Sequence, residues 1–70
     1  MKVYVYYHDL TGHVSCYLEP QSKSIGRFIQ EIEATPTDEE ITIEFQSRIF
    51  IEIGEVFACN SYIGNLKRIS

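Results

Sequence analysis

The chain has 70 residues, 44% of them hydrophobic, and ten Asp and Glu against six Lys and Arg give it a formal net charge of −4. That length accommodates one core, so a single domain over 1–70 is expected, and the apolar content is that of a folded chain, which excludes wholesale disorder. The acidic balance argues against direct nucleic-acid binding and against an anionic membrane surface, because both are recognised through Lys and Arg.

Residues 2–8, Lys2-Val3-Tyr4-Val5-Tyr6-Tyr7-His8, and residues 13–19, His13-Val14-Ser15-Cys16-Tyr17-Leu18-Glu19, are rich in β-branched and aromatic residues and read as two strands. Between them, Asp9-Leu10-Thr11-Gly12 suits a four-residue turn whose last residue takes positive φ. That loop length sets His8 opposite His13, Tyr7 opposite Val14, Val5 opposite Cys16 and Val3 opposite Leu18. One face of the hairpin is then apolar throughout. The other pairs Tyr4 with Tyr17, Tyr6 with Ser15 and Lys2 with Glu19; a register one residue away mixes polar and apolar on both faces, which a half-buried sheet disfavours.

Ile25, Phe28, Ile29 and Ile32 fall at i, i+3, i+4 and i+7 behind a Ser22 or Ser24 N-cap, which predicts a helix ending at Thr35-Pro36. From Ile41 the pattern changes to period two: Ile41, Ile43 and Phe45, then Ile49, Ile51 and Ile53. A turn at Gln46-Ser47-Arg48 would keep all six on one face. Gly54-Glu55 reads as a type II′ hairpin turn, followed by a strand Val56-Phe57-Ala58-Cys59 with Val56 and Ala58 inward and Phe57 and Cys59 outward. Tyr62 to Ile69 fits a short helix or an edge strand over Leu66–Ile69, the strand being preferred. The expected fold class is α+β in the order β-β-α-β-β-β, with one further strand allowed: a small antiparallel sheet and one helix across one face.

The chain enters an alternating pattern directly and contains no run of apolar residues long enough to span a membrane, so neither a signal peptide nor a membrane helix is expected. A cytoplasmic location follows, with Cys16 and Cys59 as free thiols. No cofactor motif is present, and neither a nucleophile elbow nor a phosphate-cradling glycine loop occurs. His8, Asp9 and His13 form a weak metal candidate, since facing imidazoles beside a carboxylate are recognised ligand types. The same histidines with Tyr6 could be drafted into a small ribonuclease site, against which the acidic charge stands.

A chain of this size buries only about 60% of its unfolded surface and retains roughly 3–5 kcal/mol of stability, so large exposed aromatics need a reason. Tyr4, Tyr6 and Tyr17 share the face opposite the apolar stripe, and Phe50 and Phe57 are expected on the outer side of the later strands. From Glu31 to Glu55 eight acids stand against Arg48 alone, Glu44, Glu52 and Glu55 among them. The combination predicts a noncatalytic protein-binding module that uses the aromatics as anchors and the carboxylates as charge. Its expected role is that of a small acidic inhibitor or regulator, of the type found among phage and mobile-element proteins, acting on a basic nucleic-acid-handling protein. The alternatives are a homodimer closed through the aromatic face, and the His8/His13 ribonuclease or metal protein. A further possibility is that Tyr62–Ile69 folds across the aromatic face and buries it.

Overall fold

The computed structural model describes residues 1–43 and 48–70. The hairpin forms in the expected register. Strand β1 (Lys2–His8) pairs antiparallel with β2 (His13–Tyr17), bringing Tyr4 to Tyr17, Val5 to Cys16, Tyr6 to Ser15, Tyr7 to Val14 and His8 to His13. The turn closes with the Gly12 N–H donating to the His8 carbonyl at 2.8 Å, and Gly12 takes φ +73°, a conformation that favours glycine.

The helix is absent, and the α+β expectation is corrected to an all-β fold. After a single 3-10 turn at Lys23–Ile25, residues Arg27–Thr37 form the 11-residue strand β3. It runs antiparallel to β1 with a β-bulge: Val5 stands opposite Gln30 and Tyr6 opposite Phe28, which leaves Ile29 as the extra residue. The bulge explains the misreading. One inserted residue breaks the alternation of a strand, so that Phe28, Ile29 and Ile32 acquire the spacing of a helix stripe. A helix here would also have spanned only about three turns, marginal without strong tertiary support. As a strand, the same residues complete the second edge of β1. Pro36, expected to end a helix, sits within β3 opposite Leu66. The Ala34 N–H reaches the Met1 carbonyl, and the next ring position on that side, Pro36, lies beyond the last β1 partner, where a missing N–H costs no ladder bond.

The C-terminal half of β3 pairs with β5 (Asn65–Arg68), which pairs in turn with β4 (Val56–Ala58), giving the sheet order β2-β1-β3-β5-β4. The sheet curls into a nearly closed barrel. Its seam is bridged where the Asn60 N–H donates to the Cys16 carbonyl at 2.9 Å, and the Cys59 thiol donates to the same oxygen at 3.2 Å. The tail is thus a strand as preferred, but an internal one.

The core gathers Val3, Val5, Cys16, Ile32, Ala34, Ile43, Ile51, Phe57, Cys59 and Leu66. Phe57 is 0% exposed, and Cys59 is also buried while Ala58 is exposed, which inverts the inward–outward assignment for this strand; Val56 is buried too, but on the other face from Phe57, opposite Lys67. Nor do the isoleucines form one face: Ile43 and Ile51 are buried, Ile41 and Ile53 exposed, and Phe45 lies outside the described residues, as do Gln46 and Ser47 of the expected turn. Ile51 has no strand partner among the described residues and is held by the Gln30 side-chain amide, which accepts from the Ile51 N–H at 2.9 Å and donates to its carbonyl at 3.1 Å. The following turn is closed by the Glu55 N–H on the Glu52 carbonyl at 3.1 Å, so Gly54 stands at its third position and not at the second, as a II′ turn requires. Among the described residues no helix is long and apolar enough to cross a membrane.

Candidate binding face

Even-numbered residues of β1 and odd-numbered residues of β2 point away from the core, which is the alternation of any half-buried hairpin. The bulge at Ile29 turns Phe28 to the same side. Four aromatic rings therefore meet on the outer surface of the β2-β1-β3 wall. Tyr6 lies at their centre, edge-on to Tyr17 at 5.9 Å between centroids and to Phe28 at 5.6 Å; Tyr4 is tilted against Phe28 at 6.5 Å. Such edge-to-face and tilted arrangements contribute about 0.5–1.5 kcal/mol per pair beyond area burial.

The four rings do not share one environment. Tyr6 is only 5% exposed, and its hydroxyl accepts from the Gln21 N–H at 2.8 Å, so the chain leaving β2 crosses over it. Tyr4 and Tyr17 are half-buried. Phe28 is 52% exposed although it touches two tyrosines. The available surface is thus Tyr4, Tyr17 and Phe28 on a fixed Tyr6 platform. The C-terminal segment lies elsewhere: Tyr62 packs against the core cluster and Leu66 is inside it. Beside the rings, Glu31 pairs with Lys2 at 3.4 Å and Glu33 with the N-terminal ammonium at 3.5 Å. These carboxylates are opposite Tyr4 and Lys2 in the β1–β3 register.

The remaining residues expected at a partner surface are not gathered here. Phe57 is in the core. Glu44 lies outside the described residues. Phe50 and Glu52 line an open groove with Arg48 and Ile49, and the Glu55 carboxylate is bonded to Arg48 and to the Glu52 N–H. Phe28, in contrast, was placed in a helix stripe by its spacing; the one sequence signal against that placement is Gly26, an unfavourable residue inside a helix.

His8 and His13 face each other as expected, but the Asp9 carboxylate is bonded to Arg27 at 2.9 Å, and His8 Nε2 lies 3.4 Å from the Ser15 hydroxyl. Among the described residues no group of three or more His, Cys, Asp or Glu is arranged to hold a metal ion. Burial pushes the Cys16 thiol up to about 12, with the neighbouring Cys59 adding to the effect; burial also raises Cys59, partly offset by a backbone hydrogen bond at Ser61. Both sulfurs therefore stay protonated at neutral pH and behave as small apolar groups. A scan of protein-family models, a search of curated proteins and a search of solved structures each return no match.

Proposed function

We propose that the protein is a noncatalytic protein-binding module whose contact face is Tyr4, Tyr17 and Phe28 on the Tyr6 platform. The observation that carries this reading is Phe28. A phenyl ring half-exposed in a chain of this size stabilises the fold less than a buried one, yet a bulge delivers it to the edge of a ready-made aromatic cluster. Large rings held in place in advance lose little entropy on binding and are enriched at interface centres. The flanking Glu31 and Glu33 and the net charge of −4 favour a basic partner surface, in keeping with an acidic inhibitor or regulator of a nucleic-acid-handling protein in the cytoplasm.

Parallel affinity capture with the wild-type chain, Phe28→Ala and Tyr4→Ala tests it. A basic protein retained by the wild type and lost from both variants, with unchanged circular dichroism, supports the reading; equal retention by all three overturns it. The exposed, uncharged Phe28 ring of the same patch also suits self-association. Sedimentation velocity at two concentrations separates the readings, because a concentration-dependent dimer that Phe28→Ala abolishes would make the partner a second copy.

A further inference from the structure

At the far end of the hairpin from Lys2, the β1–β2 turn and the 3-10 turn enclose an open cleft of about 440 Å³, lined among others by Tyr7, His8, Thr11, Lys23, Ser24 and Arg27. Its charge is opposite to that of the chain. Lys23 and Arg27 outweigh Asp9, in a protein whose net charge is −4. Asp9 also holds one Arg27 nitrogen at 2.9 Å, and the guanidinium carbon lies 5.6 Å from the Tyr7 ring centre, so the fork stands at the cleft wall with its other N–H groups unspent among the described residues. Lys23 makes no ion pair among the described residues. Gly26, at φ +148°, forms part of the lining; a Cβ there would lie 2.9 Å from the Tyr7 carbonyl oxygen and 3.3 Å from His8 Nδ1. The glycine leaves that imidazole edge uncovered.

We propose that this cleft binds the phosphate group of a small phosphomonoester. The ammonium of Lys23, the free N–H groups of Arg27 and the hydroxyls of Thr11 and Ser24 supply more donors than the two oxygens of a carboxylate can use. A phosphomonoester carries about −1.5 to −2 charges and three terminal oxygens, which match them. The space left over fits a small organic group against the Tyr7 ring, since ligand pockets run to roughly 300–1,000 Å³. The cleft is independent of the aromatic contact face, and Lys23→Ala is expected to leave protein capture through Phe28 intact.

The test is an amide and imidazole NMR titration of the full chain with inorganic phosphate, ribose 5-phosphate and acetate at constant ionic strength. Phosphate is expected to shift the Thr11, Lys23 and Ser24 amides and the His8 ring, ribose 5-phosphate to add the Tyr7 ring, and acetate to do neither. Lys23→Ala should weaken phosphate binding by about tenfold, the loss of one charge-assisted contact, whereas Lys67→Ala on the opposite wall should leave it unchanged. Absent shifts with phosphate overturn the proposal. So do shifts of equal size with acetate, or an equal loss in Lys67→Ala.

Discussion

The two walls of the barrel are alike inside and unlike outside. The β2-β1-β3 wall contributes Val3, Val5, Cys16 and Ile32 to the core, and the wall of β3, β5 and β4 contributes Ala34, Leu66 and Phe57. On the outer surface the first wall carries four aromatic rings. The second shows Thr35 beside Lys67, whose ammonium reaches Glu39 at 2.9 Å. Burial accounts for the shared interior. The second wall also carries an apolar side chain outside, Val56 opposite Lys67, but it is 0% exposed, whereas Phe28 on the first wall is 52% exposed, and the proposed contact surface rests on that difference.

The comparison breaks first at the interior. Phe57→Ala should cost about 3–5 kcal/mol, comparable to the whole stability of so small a domain, and thermal denaturation followed by circular dichroism should show no folded baseline. A cooperative transition near the wild-type midpoint would mean that the second wall does not share the core. The next effect is alkaline. Cys16 is raised from its ordinary 9.0 to about 12, so its stabilising effect is fully present below pH 9 and is lost as pH rises toward 12, where the unfolded chain ionises and the folded one resists. Denaturant unfolding below and above pH 9 should show the loss, and Cys16→Val should flatten it; an unchanged slope in that variant would place the titration elsewhere.

Smaller still is the effect on stability of the outer rings. Phe28→Ala should cost about 1–3 kcal/mol, from the two ring pairs it makes, while removing partner capture from a chain that still folds. The smallest change is expected from Lys67→Ala. Lys67 and Thr37 hold the Glu39 carboxyl below its ordinary 4.5, an effect present above that pH and lost as pH falls. Because the pair is exposed, the difference between wild type and variant should vanish at high salt.

How legible the first wall was depended on the range of its determinants. The hairpin register follows from a four-residue turn and alternation, both local, and every pair from Tyr4–Tyr17 to His8–His13 formed as read. β3 is hidden because the bulge at Ile29 changes the apparent period, and the site is displaced with it: helical spacing sends Phe28 to the core, and strand alternation alone leaves Tyr6 in solvent although Gln21 crosses it. On the second wall, no local signal fixes the direction of Phe57. Ile51 is captured by Gln30 from 21 residues away, a contact that neighbouring residues do not encode.

The seam at Cys16 has a kinetic consequence. One carbonyl receives both the Asn60 amide and the Cys59 thiol, the latter across a separation of 43 residues, whereas the hairpin on its other side is closed by a four-residue turn. A contact of such long range is entropically the dearest to close, so the barrel is expected to zip from β1–β2 outward and to shut at Cys16 last. Opening should run in reverse: the Asn60 amide exchanges with solvent ahead of the β1 amides, and the molecule breathes along one line.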